Sequence, residues 1–163
     1  MPARLLMAGG RIGSSDPTNV AYAAHIDNLL AAFDLAERVV WTGYAPEDEV
    51  SGHLLAADAL ALPYRDGASP RRGSLMAALA HGRAVVSTSG ANDPDLRDGE
   101  NIRLVPPDDP TALASALAAL WGDPAARARL EAGALALSER YAWPGIAARS
   151  VEIYRAAGAG RAR

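Results

Sequence analysis

Short apolar runs alternate along the chain with longer segments in which apolar residues recur at helical spacing. The short runs predict five buried strands, at residues 4–8, 38–42, 59–63, 83–87 and 102–105. The longer segments predict six helices, at residues 20–35, 46–56, 73–80, 109–121, 125–140 and 143–157. Strands that alternate with helices are typical of a parallel sheet covered on both faces.

The predicted fold class is therefore α/β. We expect a Rossmann-like parallel sheet flanked by helices, because crossovers between parallel strands are right-handed, with extra helices at the carboxyl end. The pattern contains no repeat and no linker, so residues 1–163 are expected to form a single domain. Residues 156–163 are expected to be a frayed tail.

Composition narrows the range of functions. The chain has no cysteine, which excludes disulfides, zinc–thiolate sites and cysteine nucleophiles. The net charge of −3 argues against a nucleic-acid partner. No apolar run approaches the roughly 20 residues of a membrane span. The segment at residues 1–10 is too short for a signal peptide, so a cytoplasmic location is expected.

The arginine and histidine content adds little specific chemistry. All sixteen basic residues are arginine, which we interpret, with the abundant alanine, as a bias toward GC-rich codons. The three histidines lie far apart in sequence and lack metal-ligand spacing, so no metal is predicted, and no cofactor is expected either.

The most informative stretch is residues 65–82, which follow the third predicted strand. Gly67 and Pro70 predict turns, and Arg71 and Arg72 precede a short apolar helix that begins at Gly73. The first amides of a helix have no intrahelical partner and carry partial positive charge, so such a junction is a natural anion site. The two guanidinium groups and the Ser74 hydroxyl would add donors suited to phosphate oxygens.

Ligands of open α/β sheets sit at the carboxyl ends of the strands. Four loops that are rich in glycine or arginine are predicted there, at residues 9–13, 43–46, 64–74 and 87–93. The first of these resembles a dinucleotide-binding loop, but its glycines, at 9, 10 and 13, do not form G-x-G-x-x-G, and no acidic residue ends the next strand. Binding of NAD is therefore disfavoured.

Structural interpretations stand beside these functional ones. Arg71 and Arg72 could be a solvated pair, although cations at a helix amino end are slightly unfavourable. Arg65 and Asp66 could pair with each other. His81 lies at the predicted carboxyl end of the helix, where an imidazole suits the helix dipole, so a capping role is favoured over catalysis.

In order along the chain, several segments resemble one family of enzymes. They are LLMAGG, RVVWTGYAPEDEV, LLAADALALPYRDG, LMAALAHGRAVVST, DGENIRLVPPDDPTALASALAAL and ERYAWPGIAARSVEIYR. Together they are similar to the carboxyl-terminal, donor-binding half of a GT-B retaining glycosyltransferase of family 4, the glycosyl transferases group 1. The resemblance implies a domain that binds a nucleotide-sugar donor, and an acceptor-binding amino-terminal domain that this chain would lack.

The resemblance also implies roles for individual positions. Gly43 and Tyr44 match a segment that lies against the nucleotide base, and residues 73–77 match a helix start that faces the donor phosphates. Two family glutamates, one near the transferred sugar and one on the ribose, fall on Ser69 and Ala77, so neither carboxylate is present.

A second departure concerns the start of the chain. Family members open this domain with a further strand–helix unit, which is missing here, so the chain is expected to be a fragment of a longer two-domain protein. A sheet edge left exposed in this way could pair with a second copy and form a homodimer.

The leading hypothesis is the donor-binding half of a glycosyltransferase that transfers a sugar from a nucleoside diphosphate sugar to an acceptor. Its predicted substrate-binding residues are Gly43, Tyr44, Arg65, Gly67, Ser69, Arg71, Arg72, Gly73 and Ser74. No catalytic residue is assigned. The chain alone is expected to be inactive, and the full-length protein could be peripheral to the inner membrane face.

Two alternatives remain open at this point. One is a non-catalytic, degenerate Rossmann-like module for self-association or regulation, which would be indifferent to nucleotides. The other is a sugar-nucleotide epimerase of the same architecture. The scarcity of carboxylates near the loop at residues 64–74 argues against it, since such chemistry needs general bases.

Overall fold

The computed structural model describes residues 3–10, 17–90 and 93–160. Five strands and six helices lie in these ranges, apart from one 3₁₀ turn at Ala36–Arg38. The strands are β1 (Leu5–Ala8), β2 (Val39–Gly43), β3 (Leu60–Leu62), β4 (Val85–Thr88) and β5 (Arg103–Val105). The helices are α1 (Pro17–Ala32), α2 (Glu47–Ala56), α3 (Gly73–Ala80), α4 (Pro110–Gly122), α5 (Pro124–Glu139) and α6 (Trp143–Gly160).

Contacts divide the chain into two compact units, Met1–His53 and Leu54–Arg163, called here the amino-terminal and carboxyl-terminal units. In the amino-terminal unit, β1 and β2 pair in parallel, with Leu5 opposite Val39. The Thr42 hydroxyl accepts a hydrogen bond from the Gly9 amide (3.0 Å), which joins the two strand ends. None of the residues of this unit whose burial is described, 3–10 and 20–53, is fully buried. The unit therefore has no core of its own within those residues.

The carboxyl-terminal unit is built around β4. The parallel strands lie in the order β3-β4-β5, and all four residues of β4 are buried. Successive side chains of a strand point to opposite faces, so Val85 joins one apolar cluster, with Leu75 and Leu79 of α3, and Val86 joins another, with Leu120 of α4. Helices thus cover both faces of this sheet, as the α/β prediction requires.

Helix α3 begins and ends where the sequence predicted. Leu75, Ala78 and Leu79 form its buried face. At its carboxyl end Gly82 has a φ of 59°, and the amides of Gly82 and Arg83 donate to the carbonyls of Leu79 and Ala78. This is a Schellman motif, which explains why a glycine stands at position 82.

The strand pairing differs from the single sheet expected from sequence. The described strands form two separate parallel sheets, β1-β2 and β3-β4-β5, one in each unit. Apolar runs predict that strands exist but do not specify which strands pair, because pairing depends on tertiary contacts.

Helix ends differ by a few residues from the prediction. Helix α1 ends at Ala32 rather than at position 35, because Asp34 adopts a positive φ of 53° that a helix does not allow. Helix α6 continues to Gly160, three residues beyond the predicted end, so residues 156–160 of the expected tail are helical. The remainder of that tail lies outside the described residues.

Helix α6 also differs in how it packs. The sequence indicates four candidate packing residues in this helix: Ile146, Val151, Ile153 and Tyr154. The last three are exposed, and Tyr154 keeps 75% of its accessible surface. Only Ile146 is half-buried.

We predict that Gly133→Ala destabilises the protein. A Cβ at Gly133 would overlap the Glu100 carbonyl oxygen and lie 2.9 Å from the Asn101 Cα, and both are backbone atoms that cannot rotate away. Overpacking of this kind costs about 1–3 kcal/mol, against the helix-propensity gain of about 1 kcal/mol for Ala over Gly. The free energy of unfolding in urea should fall.

The matched control is Gly122→Ala, also a helical glycine, where a Cβ would meet no atom within 4 Å. Its free energy of unfolding should stay the same or rise slightly. Equal effects of the two substitutions would contradict the close approach of α5 to residues 100–101.

Candidate functional site

The α3 loop (residues 63–72) is fixed to the carboxyl end of β4. The Ala68 amide donates to the Thr88 carbonyl (2.8 Å), and the Thr88 hydroxyl donates to the Tyr64 carbonyl. The neighbouring Ser87 hydroxyl donates to the Leu62 carbonyl (2.6 Å). Buried strand hydroxyls thus bind the backbone on both sides of Pro63, so the loop enters α3 from a defined position.

Two glycines allow the loop its path. Gly67 has a φ of 87°, a conformation that favours glycine, and this confirms the predicted turn. Gly90 approaches it closely, since a Cβ at Gly90 would lie 3.6 Å from the Gly67 Cα. The backbone of residues 66–69 therefore lies directly against the segment that follows β4.

The amino terminus of α3 has no side-chain cap. Asp109 and Asp123 cap α4 and α5 by accepting hydrogen bonds from the third helical amide (2.8 and 2.9 Å), whereas the N-cap residue of α3 is Arg72, which cannot accept one. Within the described parts of the chain, no hydrogen bond takes up the first three amides of α3, those of residues 73–75. Three donors therefore remain available at a partially positive helix end.

Tyr64, Asp66, Arg72 and Ser74 form a cluster beside these amides. The Tyr64 hydroxyl lies 2.6 Å from the Ser74 hydroxyl, in the first turn of α3. The Arg72 guanidinium lies over the Tyr64 ring, with its central carbon 4.8 Å from the ring centre, and donates to an Asp66 carboxylate oxygen. Tyr64 thus contacts the Arg72 guanidinium through the face of its ring and contacts helix α3 through its hydroxyl.

The cluster lowers the pKa of Asp66 below its ordinary value of 3.8. A backbone hydrogen bond at Asp66 is the largest cause, followed by the hydrogen bond from the Arg72 side chain. Desolvation, the next cause in size, opposes these hydrogen bonds, and the charges of Arg72 and Arg71 make smaller contributions that again lower the pKa. Asp66 therefore carries its negative charge at neutral pH.

The ion pairs differ from the pairing that we considered from sequence. Arg65 and Asp66 do not pair with each other: Arg65 lies 3.4 Å from Asp108, and Asp66 binds Arg72. The Arg65 side chain is 89% exposed. Arg71 is exposed and forms no ion pair with a described residue, although its charge acts on Asp66.

The positions of the two absent glutamates lie in different surroundings. Ser69 is 7% exposed, and its hydroxyl makes no hydrogen bond to any residue in the described ranges. Ala77 lies within α3, and its carbonyl is 2.7 Å from the His81 ring nitrogen Nδ1. His81 is the C-cap residue of α3, as predicted.

The amino-terminal unit holds the other two predicted binding residues. Gly43 ends β2 with a φ of 66°, and Tyr44 follows with 93% of its surface exposed. Tyr44 is therefore not a packing residue, which is the structural alternative to a contact with a base, and the contact with a base stays a prediction. Residues 11–13 of the predicted loop at residues 9–13 lie outside the described residues.

No group of three potential metal ligands comes together within residues 3–10, 17–90 and 93–160. In the same ranges, no helix has the length and apolarity required to cross a bilayer.

Sequence reasoning missed the central position of Tyr64, which it treated only as the start of the loop at residues 64–74. It also missed Asp95, whose carboxylate binds Arg140 (2.6 Å) and Tyr141 (3.2 Å) and ties the segment after β4 to the end of α5. Burial, followed by the charges of Asp93 and Asp95, raises the pKa of Tyr141 above 10.0. These contacts span more than forty residues, and no local motif signals them.

We predict that the Asp66 carboxyl titrates below pH 3.8 in carbon-detected NMR. Because its pKa is lowered by folding, its contribution to stability is present above pH 3.8 and is lost as the pH falls through the lower, folded value. Arg72→Ala should raise the midpoint toward 3.8 without reaching it, since the backbone hydrogen bond remains.

Arg97→Ala serves as the control, because Arg97 pairs with Glu100 (3.3 Å) in a comparable exposed ion pair. This change should leave the Asp66 midpoint where it is. A midpoint at or above 3.8 in the unchanged protein would contradict the cluster geometry.

Among known proteins, the chain matches the family model described as glycosyl transferases group 1 over residues 2–123. It is 30% identical to a D-inositol 3-phosphate glycosyltransferase of Corynebacterium urealyticum, over 95% of this chain and 35% of that protein. It is 32% identical to the protein of the same name from Xylanimonas cellulosilytica, over 93% of this chain and 35% of that one. The chain thus spans about a third of the length of these curated relatives.

Solved structures show the same fold. A sucrose-phosphate synthase from Thermosynechococcus elongatus superposes with a TM-score of 0.78 at 27% identity, over 96% of this chain and 39% of that one. HepE of Anabaena, solved in complex with UDP, superposes with a TM-score of 0.81 at 18% identity, over 94% of this chain and 41% of that one.

One structure matches in extent as well as in fold. It is the carboxyl-terminal domain of a glycosyl transferase group 1 family protein from Francisella tularensis, with a TM-score of 0.71 at 18% identity, over 88% of this chain and 89% of that one. The resemblance expected from sequence is confirmed: the chain belongs to the glycosyl transferases group 1 and has the fold of a GT-B carboxyl-terminal domain.

Proposed function

We propose that this chain is the donor-binding part of a glycosyltransferase and that it binds the diphosphate of a nucleoside diphosphate sugar at the amino terminus of α3. The observation that carries the proposal is the uncapped helix end at Gly73, which hydrogen bonds to β4 hold at the carboxyl edge of a parallel sheet. Open α/β sheets bind their ligands at this edge.

The local chemistry suits an anion. The free amides point along the helix axis, where the dipole favours negative charge. A Cβ at Gly73 would meet no atom within 4 Å, so the approach to the helix end is open. Arg71 and Arg72 supply guanidinium donors, and Ser69 supplies a hydroxyl that has no partner in the described part of the chain. Together these groups would stabilise the diphosphate as it leaves the sugar, without a metal ion.

The relatives support a nucleotide ligand and suggest which to test first. HepE was solved in complex with UDP and also with UDP-glucose, so UDP is the first choice. Gly43 and Tyr44 remain the predicted contacts of the base, and Arg65 and Gly67 remain predicted members of the donor site.

The share of its curated relatives that the chain spans indicates what the rest of the protein would supply. Because the chain spans about a third of its curated relatives, transfer would require an acceptor-binding domain in addition to this one. The absence of carboxylates at Ser69 and Ala77 removes the sugar and ribose contacts that the resemblance implies, so we expect the phosphates to provide a larger share of the affinity.

A non-catalytic module is the second candidate, and one observation favours it. Strand β1 is apolar yet exposed, with Leu5 at 50% and Leu6 and Met7 at 37%, and apolar strands of parallel sheets are normally covered. A second copy of the chain could cover it. Light scattering after size-exclusion chromatography would detect the dimer, and this candidate further requires that nucleotides have no effect.

We predict that the chain binds UDP, GDP or ADP in titration calorimetry and that Arg71→Ala and Arg72→Ala each weaken the binding. A hydrogen bond to a charged group contributes about 1.5–3 kcal/mol, so the loss of one guanidinium contact should reduce affinity roughly tenfold or more.

Arg97→Ala is again the matched control, since it removes an exposed, ion-paired arginine from outside the α3 loop. It should leave the affinity unchanged. If a folded chain binds none of the three diphosphates, the proposal fails.

A further inference from the structure

The Arg72 guanidinium already holds an anion, the Asp66 carboxylate. This pair stands at the N-cap position of α3, where a cation lies at the partially positive end of the helix. An arginine there needs a negative partner, and Asp66 provides it. A phosphate group at the same helix end would present the same chemistry to the same guanidinium.

The Arg72 side chain contacts Tyr64 and Asp66. The Tyr64 ring lies under the guanidinium at 4.8 Å and is itself held by its hydroxyl at Ser74. Asp66, by contrast, is 65% exposed, and Arg72 is 37% exposed. Exposed ion pairs are weak, whereas stacking on an aromatic face constrains the guanidinium plane. Arg72 can therefore release Asp66 and remain over the Tyr64 ring.

We propose that Asp66 is a resident anion that the ligand replaces: on binding, a phosphate oxygen takes the place of the Asp66 carboxylate on Arg72. This inference rests on the proposed function, because it concerns the same site. Asp66 then lowers the affinity for phosphate in two ways, by occupying the guanidinium and by repelling the incoming charge. The phosphate prevails because it also reaches the free amides of residues 73–75, which the side chain of Asp66 leaves without a partner.

The effect of removing Asp66 on ligand binding distinguishes a carboxylate that competes with the ligand from one that positions Arg72. If Asp66 oriented Arg72 for the ligand, its removal would weaken binding. If it competes with the ligand, its removal strengthens binding, and most of the gain requires Arg72.

The test is a double-mutant cycle on the 163-residue chain, with UDP and inorganic diphosphate as probes in titration calorimetry. Asp66→Asn should tighten the binding of both probes about two- to fivefold, the range of an exposed ion pair. In the Arg72→Ala background the same substitution should change affinity by less than about 1.5-fold, since only the diffuse repulsion is relieved. Circular dichroism checks that each variant is folded.

Glu100→Gln is the matched control, because it removes the same charge from an exposed pair with Arg97. It should leave both affinities unchanged. Inorganic diphosphate separates the phosphate contribution from that of the base, so equal gains for the two probes place the effect at the phosphate.

Each outcome decides a different claim. Weaker or unchanged binding by Asp66→Asn, in a chain that binds UDP, overturns the exchange and leaves the proposed function intact. An equal gain with and without Arg72 also overturns it, because Asp66 would then act by repulsion alone. If the folded, unchanged chain binds neither probe, and neither GDP nor ADP, the proposed function fails as well.

Discussion

The hydrogen bonds between β4 and the α3 loop are the constraint on which the candidate site depends. Thr88 accepts from Ala68 through its carbonyl and donates to Tyr64 through its hydroxyl, so one buried residue fixes the loop at two points. The segment between these points contains Gly67, whose positive φ turns the chain toward α3. Because β4 lies buried at the centre of its sheet, the core of the carboxyl-terminal unit determines the position of the amino terminus of α3.

The site therefore combines a rigid backbone with adaptable side chains. The backbone contribution, three amides at the start of α3, is set by packing of Leu75 and Leu79 against the sheet. The side-chain contribution comes from exposed or half-exposed arginines, whose partners can change. A ligand with a diphosphate group would meet donors of both kinds, and only the side chains would have to rearrange.

Much of the carboxyl-terminal unit could be predicted from sequence, because its elements carry strong local signals. Apolar runs marked the strands, and the Asp109-Pro110 pair marked the start of α4, where Asp109 caps the helix. The start of α3 was predicted from the change from polar loop to apolar helix, although no capping residue marks it.

Side-chain contacts that depend on the tertiary fold could not be predicted from the sequence. The stacking of Arg72 on Tyr64 and the choice of Asp66 over Arg65 as its neighbour depend on how the α3 loop folds back, and ion pairs between exposed side chains have no local signature. The exposure of β1 was equally hidden, because a run such as RLLMA is typical of a buried strand and indicates nothing about what covers it.

The free amides at the start of α3 are the centre of this account, and NMR can observe them directly. In ¹H–¹⁵N spectra recorded during a titration with UDP, the largest shifts should fall on the amides of Gly73, Ser74 and Leu75. Because amide protons that gain a charged acceptor move downfield, the direction of the shift is also predicted. Saturable binding of UDP that leaves these three amides unmoved would contradict the account.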